Sequence, residues 1–558
     1  MMQRFAGIFA IAGVALTMLA QSPQPVPRPL QGFTIAGIAL NSITHQPVSG
    51  ADVVIAPVSA RAEIRGVTTG LDGRFTFSGL ARGKYSLEGS GKGYHEQGLD
   101  QHDFYATAVA VGPELDSEHI VFRLQPDASI EGRIIDEENE PVENASVQLY
   151  VKNTEEGEEK ATPRGQANTD DRGYYRIGHL APGTYYLAVA ARPWYAQSYA
   201  RSQYPADADP DTVGRLQQET SELDKAYPLT FYPNVVDSAA AGAITLRAGE
   251  HFSADMTLQA VKAVHLKVHG ISKNPGEDSS GLQVNVRQRV FDRIDSVSQG
   301  VAMMSIADGG TVEVMGLAPG HYLIEVRTPS PRGTKTWSSG WYQELDLAAD
   351  ADLTAATSQA FADVSGVIHF EGAPPPKNPA FVRLTDYYTG ETLRAPLRPE
   401  GEFAFRNDHI IPSRYEMVLE NSQGFALQKM AATGATVFGR TLDITTGGAV
   451  RVAGIASHGI GEVNGTALRE GKPVAGAMIV LVPKDPANNL ALFRRDQSDS
   501  DGTFTLPNIV PGPYTLLAIA NGWDLEWANP VVLQPYLKAG EAVQVPGEGK
   551  LQVKVPVQ

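Results

Sequence analysis

The chain has 558 residues, with 46 Lys and Arg against 63 Asp and Glu, and its net charge of −17 excludes a nucleic-acid partner held through clustered basic side chains. It contains no cysteine, which excludes disulfide staples and an acylated-cysteine lipid anchor, so each domain must rest on a full-sized core. The length corresponds to about three to five domains, and 55 Gly with 37 Pro suit many short strands joined by tight turns.

In chain order, the first feature is an export signal. Arg4 precedes the uncharged run Phe5 to Ala20, and Ala20-Gln21-Ser22 offers the small-x-small pattern of a cleavage site. Residues 1–22 therefore read as a signal peptide, either cleaved or kept as an anchor. The run is short for a bilayer span, which takes about 20 residues. No second apolar run of that length follows, so no membrane span is expected after signal removal. The expected location is periplasmic, cell-surface or extracellular. Residues 23–33 form a spacer, extended by the prolines of "SPQPVPRP" from Ser22.

A repeat then runs through the chain. Its most visible part is "GLARGKYSLEG" from Gly79, "HLAPGTYYLAV" from His179, "GLAPGHYLIEV" from Gly316 and "IVPGPYTLLAI" from Ile509. Gly73, Gly173, Gly310 and Gly502 each lie ten residues before the turn glycines Gly83, Gly183, Gly320 and Gly512, and twelve before the tyrosines Tyr85, Tyr185, Tyr322 and Tyr514. A looser fifth copy joins Gly401 to Tyr415. After each first glycine, apolar residues alternate: Phe75 and Phe77, Tyr175 and Ile177, Val312 and Val314, Phe403 and Phe405, Phe504 and Leu506. Period two places each pair on one face of a strand. Each unit thus predicts strand, turn, strand, with the Pro presetting φ, the turn Gly accepting the bend and the Tyr ring capping the core. Upstream, "QPVSGA" from Gln46, "EPVENA" from Glu140 and "KPVAGA" from Lys472 share a Pro-Val before a second alternating strand.

Pro-Val-x-x-Ala, then Asp-x-Gly-x-Phe, then Leu-x-Pro-Gly-x-Tyr resembles the carboxypeptidase regulatory-like domain family. The likeness is good for the first, second and fifth units and partial for the third and fourth. The stretch Leu229 to Leu258 also resembles the closing strands of such repeats in large exported bacterial proteins. The resemblance implies transthyretin-like sandwiches, similar to carbohydrate-binding ones, with no catalytic residues to carry over.

The expected fold is all-β: a tandem array of about five Greek-key β-sandwich domains, transthyretin-like or Ig-like. The expected boundaries are 34–125, 126–260 with an insertion at about 195–228, 261–352, 353–454 and 455–558. Closing strands run almost directly into opening strands, so a semi-rigid rod or a compact cluster is expected.

Searches for chemistry return little. There is no His-Glu-x-x-His, no Gly-x-Ser-x-Gly, no phosphate loop and no dinucleotide fingerprint. In "YHEQGLDQHDF", His95, Glu96, His102 and Asp103 are metal-capable, but no helix fixes their spacing and a solvated loop is the default. Asp207, Asp209 and Asp211 imitate a calcium loop, yet Thr212 and Gln218 stand where its Gly and Glu belong. No catalytic residue, metal site or cofactor is implied.

The aromatic residues carry the one binding signal. Tyr94, Trp194 and Trp523 each fall nine residues after the motif tyrosine; Trp527, Trp337, Trp341 and Tyr342 follow at other distances. Two readings stand. These rings pack against domain edges, or they stack on sugar faces, with Trp337, Trp341 and Tyr342 the better candidates. The expected function is a non-enzymatic exported binding or scaffold protein whose partner is a polysaccharide or an envelope protein. The alternatives are a structural spacer or protein-interaction module and, behind these, an unrecognised hydrolase.

Overall fold

The computed structural model describes residues 32–59, 63–155, 158–196, 222–269, 283–291, 293–296, 303–307, 311–329, 337–354, 361–377, 379–405, 410–459, 461–486, 489 and 492–558. The signal sequence, the spacer up to residue 31, most of the insertion with its three aspartates, and Gly310 lie outside them.

Five two-sheet sandwiches follow one another with the same topology. In the first, strand Phe33–Asn41 pairs antiparallel with Arg74–Leu80 and parallel with the closing strand Ile120–Leu124. The other openings behave alike: Ala128–Ile135, Val264–His269, Ala362–Glu371 and Gly461–Arg469 each take at least one antiparallel and at least one parallel partner. The facing sheet is built around the strand that carries the motif tyrosine. In the first unit its order is Arg65–Thr68, Asp52–Pro57, Gly83–Gly91, Tyr94–Gly98. The third and fourth units, weakest in sequence, keep this arrangement because it depends on alternation rather than on the Pro-Val stretch that both lack.

The alternating pairs all point inward. Phe75, Phe77, Tyr175, Ile177, Val312, Val314, Phe403, Phe405, Phe504 and Leu506 are buried, each in its own unit's core. Burying one such side chain contributes about 1.5–3 kcal/mol, and each sandwich has a dozen or more, which is how a chain without disulfides stands. The motif tyrosines close the cores at the rim. In every unit the hydroxyl donates to the carbonyl four residues earlier: Tyr85 to Ala81, Tyr185 to Ala181, Tyr322 to Ala318, Tyr415 to Ile411 and Tyr514 to Val510, at 2.6–3.0 Å.

The glycine assignment needs correction. Gly73, Gly173, Gly401 and Gly502 do hold left-handed φ values of 69° to 86°. They also sit against neighbouring backbone: a Cβ on Gly73 would lie 3.0 Å from Pro47 and one on Gly502 would lie 2.7 Å from Pro473, the prolines of the Pro-Val stretch. The turn glycines do not carry the bend in this way. Gly83 and Gly320 have no left-handed φ, and a Cβ on Gly83 would meet nothing. The left-handed residue sits four positions earlier, at Gly79, His179, Gly316 and Asn508.

The array is not a rod. Short joints link neighbours, as between Leu124 and Ala128 or His458 and Gly461, and each joint is packed. The buried His265 donates from Nε2 to the Asp224 carboxylate at 2.7 Å between the second and third sandwiches. Phe291 of the third fits among Tyr150, Tyr186 and Phe231 of the second. Arg287 of the third bridges buried Glu325 and Glu391 of the fourth. The fifth sandwich then returns to the first, so the order of contacts closes on itself.

Candidate functional site

The segment Tyr94–Tyr105, flagged for its ionisable residues, is the hinge point of this closure. It is not a free solvated loop: its two ends serve two different joints. Tyr94 bridges to Pro126, and the Asp127 amide donates to the Gly93 carbonyl at 2.9 Å, fixing one end on the second sandwich. The other end meets the fifth. His102 stacks on Trp523 with centroids 4.7 Å apart, and its Nδ1 lies 3.1 Å from Gln497 Oε1. Arg495 donates to Asp103 at 2.8 Å, and its guanidinium lies over Tyr105, Trp523 and Trp527 at 4.9, 5.3 and 4.6 Å. Lys84 pairs with Asp499, which also accepts from the Ala108 amide at 2.9 Å. Ser500 and Ala108 exchange a backbone bond, and Gln497 donates to Asp100 O and Thr107 Oγ1. This interface is aromatic and charge-paired, and it engages two of the four metal-capable side chains, His102 and Asp103. Among the described residues no three His, Asp or Glu converge as a metal site.

Between the first and second sandwiches lies a cleft of about 650 Å³. Tyr94, His95 and Glu96 line one wall; Arg164, Arg176 and His179 line the other. Asp127 contacts residues of both walls, with Oδ2 2.7 Å from His179 and Oδ1 3.9 Å from His95. His95 Nδ1 and Asp127 Oδ1 are buried without a hydrogen-bond partner. Burial pushes the His95 imidazole below its usual range, with Asp127 opposing the shift, so the ring stays neutral at pH 7.

The aromatic candidates separate. Trp194 is 85% exposed, edge-on to Tyr195. Tyr342 offers no face: it is buried and its ring packs at 5.8 Å from Phe361. Trp337 and Trp341 pair with Pro329 and Val326 in strand Trp337–Leu347, but their side chains lie outside the described residues. Trp523 and Trp527 are half-buried; they cover the outer face of strand Met478–Pro483 together with helix Pro530–Leu537. Trp523 Nε1 donates to Gly476 O at 3.2 Å. Both belong to packing in this arrangement, because that strand is apolar on both faces and needs a second cover.

Residues 34–115 and 129–215 match the carboxypeptidase regulatory-like domain family. The first two sandwiches are carboxypeptidase regulatory-like domains. No curated protein matches the chain. Among solved structures it is similar to the Bacillus anthracis TIE protein (10% identity, 95% of this chain and 68% of that one, TM-score 0.15). It is also similar to GBS52, the minor pilin of Streptococcus agalactiae (12%, 44% and 99%, 0.21), and to the major pilin RrgB of Streptococcus pneumoniae (10%, 94% and 99%, 0.18). Superpositions this loose have no bearing on what the chain does.

The 650 Å³ cleft thus lies between two carboxypeptidase regulatory-like domains, and the second is atypical there. Its left-handed slot holds His179 where the first domain has Gly79. Its strand Glu158–Asn168 bulges at Arg164, which is skipped between the pairs Leu149 with Gly165 and Tyr150 with Pro163. Sequence reading missed Arg164, Arg176, Arg495 and Asp499. No local signal marks them: their partners come from other domains, and only the fold brings those close.

Proposed function

We propose that this protein is an exported, non-catalytic multi-domain scaffold, delivered by the signal at residues 1–22, that binds a glycan at the cell envelope or outside the cell. The observation that carries the scaffold reading is the closed order of contacts. Ionisable side chains that could serve catalysis are instead committed to joints, as with Lys84–Asp499, Asp224–His265 and Arg287–Glu391. Such an array presents its surfaces at fixed spacing, which is what a platform requires. The glycan part rests on the exposed Trp194, whose free indole offers an apolar face to a sugar ring. The test is retardation of the mature chain in native gels containing polysaccharides, with Trp194→Ala and the double variant Trp337→Ala/Trp341→Ala alongside. Retardation lost in either variant, with folding intact, supports the reading. Absence of retardation across the panel leaves a protein-interaction module, a second reading favoured by the use of Trp523, Trp527 and Tyr342 in packing.

A further inference from the structure

We propose that the cleft between the first two sandwiches is a binding site for a neutral oligosaccharide, held through its hydroxyl groups by Arg164, Glu96 and His179. This rests on the glycan reading above and moves its centre from the tryptophans to the domain junction.

The site has the dimensions and position of a ligand pocket. Pockets occupy about 300–1,000 Å³ and favour domain interfaces; this cleft holds about 650 Å³ and draws its walls from two domains. Three of its polar groups are unspent. Arg164 and Glu96 are exposed, and their side chains make no ion pair or hydrogen bond among the described residues. His95 Nδ1 is buried there without a partner. Buried polar atoms normally find partners, so an orphan at a pocket wall points to a ligand or water.

The charges select the ligand class. Arg176 is paired with Glu131 at 3.3 Å, and His179 faces Asp127 at 2.7 Å. Arg164 and Glu96 remain, one cation and one anion. This balance holds no net attraction for phosphate. It does suit a diol, whose hydroxyls both donate and accept, since guanidinium is donor-only and carboxylate acceptor-only.

Two local departures from the repeat converge on this cleft. The left-handed slot is occupied by Gly79, Gly316 and Asn508 elsewhere, and by His179 only here among the described residues. An imidazole gains nothing for the turn that Gly would not give, since left-handed φ disfavours a Cβ. A bulge re-aims a side chain, and the bulged residue is Arg164. Both deviations place a polar group on the same wall.

The test is affinity electrophoresis of the full mature chain against xylan, laminarin, mannan and soluble starch, with polygalacturonate as an anionic control. The variants are His179→Gly, Arg164→Ala and Glu96→Gln. His179→Gly installs the residue of the sister domains, so its fold should hold, and thermal unfolding checks this. A neutral polysaccharide that retards the wild type, with retardation weakened at least about tenfold in His179→Gly and Arg164→Ala, is the expected result. Unchanged retardation in all three variants overturns the cleft assignment and leaves the glycan reading standing. No retardation of the wild type by any polysaccharide overturns both. Retardation by polygalacturonate alone, lost in Arg164→Ala, overturns the neutral-sugar class.

Discussion

The imidazole of His102 lies on the indole of Trp523, centroids 4.7 Å apart and planes 7° from parallel, although the two belong to the first and last sandwiches. The Arg495 guanidinium also lies 5.3 Å from this indole and donates to Asp103 at 2.8 Å. The stack is the centre of the contact that turns a linear array into a closed one.

Removing it should open the array. Interface residues of this kind, a stacked Trp and a buried Arg with several partners, cost about 2 kcal/mol or more when truncated. Trp523→Ala combined with Arg495→Ala should raise the radius of gyration measured by small-angle X-ray scattering, while the circular dichroism of the strands stays unchanged. An unaltered scattering curve would mean that the other contacts hold the closure alone.

The two glycine positions of the repeat should respond in opposite ways. Gly73→Ala meets both a left-handed φ of 69° and Pro47 at 3.0 Å, and should cost at least about 1–2 kcal/mol. Gly83→Ala has open space and an ordinary backbone, and should shift stability by no more than about 0.5 kcal/mol. Denaturant unfolding of the first domain, followed by hydrogen exchange along strand Phe33–Asn41, separates them. Equal effects would contradict the structural assignment of the bend.

The tyrosine hydroxyl should matter more than its place at the rim suggests. In Tyr185→Phe the half-buried Ala181 carbonyl loses its 2.8 Å donor, and losing such a bond costs about 1 kcal/mol. The same loss is expected for Tyr322→Phe, whose phenol burial pushes up to about 12. Exchange protection of the corresponding core strands reads the loss; unchanged protection would reduce the bond to a bystander.

The fifth sandwich should lose stability as pH rises. Burial lifts the Asp496 carboxyl from 3.8 to about 6, against hydrogen bonds from the Thr505 and Gln497 amides. A folded-state value above the unfolded one means that the folded form holds the proton more tightly. The contribution is therefore complete below pH 3.8 and lost as pH rises through 6, a change of roughly 2–3 kcal/mol. Asp496→Asn should be more stable than wild type at pH 7.5, with the gap closing near pH 4, read as exchange in strand Met478–Pro483. A variant less stable than wild type at pH 7.5 would refute the sign.

Much of this fold was legible along the chain. Phe75 and Phe77, or Tyr514 and Leu516, reveal strand faces because a strand's side chains alternate whatever surrounds it. The glycines at 73, 173 and 502 are legible because only glycine tolerates both their φ and the approach of the Pro-Val segment. His179 stands at the head of its motif, but nothing in the local sequence shows its role. A left-handed slot is visible only once the backbone is placed and compared across domains.

The sequence by itself determined five repeated sandwiches, their inward faces and their tyrosine caps, because these follow from local periodicity and turn chemistry. Only the tertiary structure decided what "YHEQGLDQHDF" does. His95 faces Asp127 at the joint of the first two sandwiches, and His102 meets Trp523 across the closure. Such contacts join residues far apart in the chain, and their energy comes from surfaces that exist only after each sandwich has folded.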